Sequence, residues 1–200
     1  MKTRLMALYA IILALTFLSF APFFLWVFFI PMIAVCATFR FRTGIFATAC
    51  AAVVSFIYMW IGGDLVALGF QNQPWIPIVP RLITGVVAWW IGHGARKLFG
   101  NRKNRFVSKV LPVCVVATTA SVLNTILVVG SLVLFAADAL GMSGTAFVLY
   151  IIPVYAIPEL IITNIVCPPL SLSLRKGLKN TELEKEIVPL NGVVLDVISN

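Results

Sequence analysis

Four polar side chains interrupt long apolar stretches of the sequence, and they are the residues in this chain best suited to bind a ligand. Two are charged, Arg81 and Glu159, and two are amides, Asn124 and Asn164. A charge inside hydrocarbon costs about 2.5–3.5 kcal/mol on insertion scales, so such residues pair with one another or line an aqueous cavity. A guanidinium suits a carboxylate or phosphate, whereas a carboxylate accepts hydrogen bonds from ring N–H, amine or hydroxyl groups. The four residues predict a small polar binding cavity, the alternative being a structural ion pair and interhelical hydrogen bonds.

The composition indicates that membrane helices must position these residues. The 200 residues are 61% hydrophobic and 11% charged, whereas soluble domains are about 45–50% apolar and about 25% charged. A soluble enzyme, a disordered chain and a secreted disulfide scaffold are therefore excluded. The net charge of +8 arises from short basic clusters beside apolar runs, so we expect membrane lipid as a partner and do not expect nucleic acid.

The apolar runs and their breaks predict an all-α membrane protein with six transmembrane helices. One helix over residues 5–39 would be about 52 Å long, against a hydrocarbon core of about 30 Å, so the chain must turn back, and Pro22 is the expected break. The predicted helices cover residues 5–21, 24–39, 44–68, 76–95, 108–137 and 145–174. They form one compact domain over residues 1–179, and residues 180–200 form a tail.

The distribution of basic residues predicts the orientation of these helices. Fourteen of the 15 Lys and Arg residues lie at the N-terminus, in the second and fourth connections, or after the sixth helix. Because cytoplasmic segments are enriched in Lys and Arg, both termini are predicted to be cytoplasmic, in a multi-pass protein of the plasma membrane. The fifteenth, Arg81, then lies near the outer end of the fourth helix, so the predicted cavity faces outward.

Aromatic and amide residues near the outer side extend the candidate site. Asn72 and Trp75 lie in the connection between the third and fourth helices. This connection is either a lid over the cavity or a plain loop with an interfacial tryptophan. Three further rings could stack on an aromatic ligand, and they belong to Trp60, Tyr150 and Tyr155.

Small residues form a stripe on the first helix. Ala7, Ala10 and Ala14 are spaced i, i+3 and i+7 and therefore share one face. Such a stripe allows another helix to approach closely, and that helix belongs either to a partner protein or to the same chain. Ala47 and Ala51 repeat the pattern on the third helix with the same two interpretations.

Catalysis, metal binding and cofactor binding find little support in the sequence. The single histidine, His93, lies at the inner end of the fourth helix, and no hydrolase, zinc-protease or P-loop motif occurs. We therefore predict a protein that is not an enzyme and holds no cofactor or metal, with any ATP used by another chain. The rival hypothesis is an enzyme that acts on lipid-linked substrates through Glu159 and His93, which lie at different depths.

Several stretches, taken in order, resemble the substrate-binding S component of energy-coupling factor (ECF) vitamin transporters of the riboflavin and pantothenate type. They are Ala10 with Ala14, residues 80–85 (PRLITG), 124–130 (NTILVVG) and 157–161 (IPELI), then Pro168-Pro169 and Arg175-Lys176. The resemblance covers residues 4–177, although residues 31–44 depart from the glycine-rich form usual there.

The resemblance implies capture of a water-soluble vitamin at the outer face. It further implies that the alanine stripe docks on a membrane T component, which couples the chain to two ATPase subunits. A carboxylate for Arg81 and hydroxyls for Glu159 favour pantothenate as the ligand. Hydroxymethylpyrimidine, pyridoxine and riboflavin are alternatives, and a membrane scaffold without a ligand is the rival function.

Overall fold

The computed structural model describes residues 2–18, 29–179 and 181–189, and the protein is helical over this part of the chain. The α-helices are α1 (Lys2–Leu18), α2 (Phe29–Thr38), α3 (Phe41–Ile61), α4 (Leu65–Asn72), α5 (Val79–Phe99), α6 (Arg105–Lys109), α7 (Leu111–Phe135), α8 (Ala137–Leu140), α9 (Gly144–Ile151) and α10 (Ile157–Gly177). A π-helical turn, Ile152–Ala156, joins α9 to α10, and a 3-10 helix, Glu182–Glu186, follows α10. The prediction of an all-α protein is confirmed.

Three helical segments in the described part of the chain are long and apolar enough to cross a membrane. They are Phe41–Ile61, Leu111–Phe135 and the continuous run Gly144–Gly177. Two shorter apolar helices accompany them, Arg4–Thr16 and Phe29–Thr38. The fourth long helix, α5, has 21 residues but contains three basic residues, which lower its mean hydropathy.

The structure divides the predicted helix 44–68 into α3 and α4. The physical reason is the sequence Gly62-Gly63-Asp64, in which two flexible residues precede a strong helix-capping residue. The Asp64 side chain accepts a hydrogen bond from the Ala67 backbone N–H at 2.8 Å and so begins a new helix. The predicted break at Pro22 lies outside the described residues.

The later boundaries also differ in detail from the sequence prediction. Helix α5 extends to Phe99 instead of residue 95, because basic residues in a last helical turn are favoured by the helix dipole. The predicted helix 108–137 is α7 flanked by the short α6 and α8. The predicted helix 145–174 contains the π-helical turn, in which the Ile157 N–H donates to the carbonyl of Ile152. Pro153 and Pro158 cannot donate backbone hydrogen bonds, so the regular α-helical pattern is interrupted there.

Small side chains allow the central helices to pack closely. A buried core joins α2, α3, α5, α7 and α10, and its small members include Ala51, Ala88, Ala117 and Ala120. Ala47 and Ala51 are fully buried, so the α3 repeat packs inside this chain. The closest approach of α5 to α3 occurs at Gly85, where an added Cβ would overlap the Thr48 side chain.

We expect Gly85→Ala to destabilise the protein, because the extra methyl group has to displace the buried Thr48. Overpacking of this kind costs about 1–3 kcal/mol. The matched control is Gly94→Ala on the same helix, where an added Cβ meets nothing within 4 Å. Thermal unfolding in detergent should give a lower midpoint for Gly85→Ala only, and equal midpoints for the two variants would contradict the close packing of α3 and α5.

Two arginines and the segment after α10 close the end of the bundle where α2 ends. Arg96 and Arg175 both donate hydrogen bonds to the carbonyl of Ala37, in the last turn of α2. Basic side chains commonly satisfy carbonyls at a helix C-terminus, so this pair has a structural explanation. The Val188 N–H donates to Thr38 O at 2.9 Å, and Ile187 forms an isolated antiparallel bridge with Phe39. Part of the predicted tail 180–200 therefore packs on the bundle.

Candidate functional site

A cavity of about 90 Å³ lies between α3, α4, α5, α7 and the π-helical turn with the start of α10. One water molecule needs about 10–15 Å³ on the same measure, so the cavity has room for several waters or a small solute. Four of the residues predicted from the sequence line it, namely Arg81, Asn124, Tyr155 and Glu159. The structure therefore brings together polar residues that are distant in the sequence, since Arg81 and Glu159 are 78 positions apart.

Arg81 is held firmly in the cavity wall. It lies near the N-terminus of α5, and its side chain is only 4% exposed. Its Nη1 donates to the carbonyl of Pro77 at 3.1 Å. The guanidinium carbon lies 5.3 Å from the ring centroid of Phe29 and 5.1 Å from that of Phe70. These cation–π contacts and the backbone hydrogen bond fix the charge at one position.

Asn124 and Glu159 place unsatisfied acceptor atoms in the same wall. Asn124, on α7, is 6% exposed, and Glu159, on α10, is half-buried. Within the described part of the chain, Asn124 Oδ1 and Glu159 Oε1 are buried and accept no hydrogen bond. Arg81 and Glu159 interact electrostatically, and Ser121 lies beside the Glu159 carboxyl group. Because buried polar atoms are normally satisfied, these two acceptors mark a place for an external donor.

A cluster that the sequence did not reveal lies at one side of the cavity. The Asp64 carboxylate accepts a hydrogen bond from the Tyr58 hydroxyl at 2.5 Å and another from the Tyr155 hydroxyl at 3.1 Å. This Asp64 cluster (Tyr58, Asp64, Tyr155) connects α3, the start of α4 and the π-helical turn, and all three residues line the cavity. Asp64 and Tyr155 are 91 residues apart in the sequence, so no local pattern could pair them.

Residues spaced four apart bring the last helical run to the cavity. Ile151, Tyr155 and Glu159 follow one another at intervals of four and all line the cavity, as does Ala156. Side chains four positions apart lie on one face of a helix. Tyr155 and Glu159 therefore reach the same site, with the π-helical turn Ile152–Ala156 at its edge.

The other predicted site residues lie outside the cavity lining. Asn164 accepts a hydrogen bond from the Thr118 hydroxyl at 3.1 Å and donates to Leu160 O at 2.9 Å, so it connects α10 to α7. Tyr150 contacts the Tyr155 ring edge to face at 6.2 Å and is 43% exposed. Trp75 packs edge to face on Phe135, Asn72 is exposed, and Trp60 is 70% exposed.

His93 lies far from this cavity along α5. Its ring stacks on Trp89 with a centroid distance of 5.6 Å. Twelve residues separate it from Arg81, which is about 18 Å along a helix at 1.5 Å per residue. The geometry gives no direct contact between His93 and the cavity residues.

We compared the chain with known protein families, curated sequences and solved structures. None matches it. The function of this chain is therefore inferred from its own residues and from the sequence resemblance described above.

Proposed function

We propose that this protein captures a water-soluble vitamin or vitamin precursor, as the substrate-binding S component of an ECF transporter. The observation that carries the proposal is the cavity in which Arg81, Asn124 and Glu159 meet from three different helices. Buried polar groups in a membrane protein are costly and are retained mostly for function. A concave site with a few converging polar groups is the usual form of a small-molecule site.

The proposed topology has six membrane spans with both termini in the cytoplasm. Its support is the charge distribution, in which 14 of 15 basic residues fall on one predicted side. Under this topology Arg81 and Asp64 lie toward the outside, so the cavity opens outward in the plasma membrane. Helix α5 and the two shorter apolar helices would supply the other three spans.

The proposed partner surface is the alanine stripe of α1, docked on a T component that couples to two ATPase subunits. Ala7, Ala10 and Ala14 are exposed, whereas Leu8 and Ile12 on the opposite face are buried. The stripe therefore faces away from its own bundle, which supports a role in contacting another helix. ATP would be used by the partner subunits, and this chain would have no catalytic role.

Two ligand chemistries follow from the site. Pantothenate would place its carboxylate near Arg81 and its hydroxyl groups near Glu159. Hydroxymethylpyrimidine, pyridoxine and riboflavin would instead place an aromatic ring among the rings of the cavity wall, which include Phe29, Phe70 and Tyr155. Both chemistries agree with vitamin capture.

Vitamin capture is tested by native mass spectrometry and calorimetry of the full-length protein in detergent. We expect one small molecule per chain after purification from cells grown in rich medium. We also expect saturable binding of one of the four candidate vitamins. A protein that carries no small molecule and binds none of the four would contradict capture and favour the scaffold function.

A further inference from the structure

The cavity wall is rich in hydrogen-bond acceptors that have no donor. Asn124 Oδ1 and Glu159 Oε1 are both buried in it, and no described residue donates to either. Leaving such an atom unsatisfied costs about 1–3 kcal/mol, and more for a charged group. A solute that displaces water from the cavity must therefore supply donors at two positions.

Several donors of the wall are engaged with other groups, although Arg81 Nε is buried and has no acceptor in the described part of the chain. Arg81 Nη1 donates to the carbonyl of Pro77, and the hydroxyls of Tyr58 and Tyr155 donate to Asp64. The Thr163 hydroxyl, behind the wall, donates to backbone carbonyls of α10. Among the buried atoms of the described lining residues that lack a hydrogen-bond partner, two are therefore acceptors and one is a donor.

The formal charge of the wall disfavours an anion. Among the described residues that line the cavity, one basic side chain, Arg81, faces two acidic side chains, Asp64 and Glu159. An anionic solute would compete with both acidic groups for one guanidinium, in a site of low dielectric constant where repulsion between like charges is stronger than in water. The Arg81 charge is held beside a backbone carbonyl and two rings and interacts with Glu159.

The shape of the wall favours a flat ring. Aromatic side chains from α2, α3, α4, α9 and the π-helical turn line the cavity, and these are Phe29, Tyr58, Phe70, Phe147 and Tyr155. Aromatic rings stack face to face with an offset or edge to face on planar ligands. A flexible aliphatic chain gains less from such a wall and loses more conformational freedom on binding.

We propose that the cavity selects an uncharged, planar heteroaromatic solute that donates at least two hydrogen bonds, an inference that rests on the proposed capture function. One donor goes to Glu159 Oε1 and the other to Asn124 Oδ1, and the ring lies among the aromatic side chains. An aminopyrimidine with a hydroxymethyl group has these features. Pantothenate, an aliphatic anion, does not.

The first test compares solutes by calorimetry of the full-length protein in detergent. The probes are hydroxymethylpyrimidine, pyridoxine, riboflavin and pantothenate, and then the methylated analogue of the tightest binder, in which the donor hydrogens are replaced. We expect an uncharged aromatic solute to bind at least tenfold more tightly than pantothenate, and methylation to weaken it at least tenfold. Tightest binding of pantothenate, or equal binding of the methylated analogue, overturns the inference but leaves capture standing. Failure of every probe to bind overturns both.

The second test uses variants of the two acceptors with a matched control. Asn124→Leu and Glu159→Gln are each expected to weaken binding about tenfold. Asn164→Leu, the same change at an amide that bonds to Thr118 outside the cavity lining, is expected to leave affinity within about twofold. Glu159→Gln also removes one of the two acidic groups that face Arg81, so the preference for the aromatic solute over pantothenate should fall about tenfold. This ratio does not depend on how much protein is folded, and an unchanged ratio overturns the inference.

Discussion

Arg81→Ala is expected to reduce affinity for the proposed vitamin ligand by roughly 30- to 100-fold. Arg81 carries the one positive charge among the described residues that line the cavity, facing Asp64 and Glu159. Without it, the Glu159 carboxyl group loses its buried electrostatic partner and the rings of Phe29 and Phe70 lose the guanidinium between them, so both the acceptor and the aromatic wall are displaced. A hydrogen bond to a charged group contributes about 1.5–3 kcal/mol, and each 1.4 kcal/mol is a factor of ten in affinity.

The loss should be measured by calorimetry against two companion variants. Arg81→Lys keeps the positive charge but loses the planar guanidinium that lies between Phe29 and Phe70, so we expect an intermediate loss of about tenfold. Arg102→Ala removes an exposed base outside the cavity lining and should leave affinity unchanged. Full affinity in folded Arg81→Ala would show that Arg81 is only a structural charge.

Ala10→Trp and Ala14→Trp are expected to abolish complex formation with the proposed T component while binding of the proposed vitamin ligand survives. Both alanines are exposed on the face of α1 opposite Leu8 and Ile12, so a larger side chain does not disturb the bundle itself. A tryptophan in a stripe of small residues prevents the close helix approach that such stripes allow. Co-purification from cells that express both membrane components measures complex formation, and calorimetry measures vitamin binding.

Leu13→Trp is the matched control for these variants. Leu13 lies at a similar depth in α1, is 38% exposed and stands about 90° around the helix from the stripe. We expect Leu13→Trp to form the complex normally. An intact complex with Ala10→Trp and Ala14→Trp would exclude the stripe as the partner surface.

Local sequence patterns were sufficient for the helical class of this protein and for most of its helices. Long apolar runs predict helices because a chain in lipid must satisfy its backbone hydrogen bonds internally. The runs that contain α3, α7 and α10 are therefore visible without a structure. The subdivision at Asp64 was not predicted, because whether a short Gly-Gly-Asp sequence ends a helix depends on the contacts that its side chains find.

The candidate polar residues were also visible from the sequence, but their grouping was not. Arg81, Asn124 and Glu159 stand out as polar groups in apolar helices, and all three line one cavity. Asn164 stands out in the same way, yet its amide bonds to Thr118 and Leu160 O. The sequence contains no signal that separates these cases, because the direction of a side chain depends on how each helix is rotated against its neighbours.

The sequence by itself determined that this chain is a helical protein suited to lipid, with a few costly polar residues in its helices. Only the tertiary structure decided which of them share a site, and it added Asp64 and Tyr58 through a contact with Tyr155. Hydropathy is a property of neighbouring residues along the chain. Cavity membership, in contrast, depends on how the helices cross and how each is rotated, and this arises from contacts between distant segments.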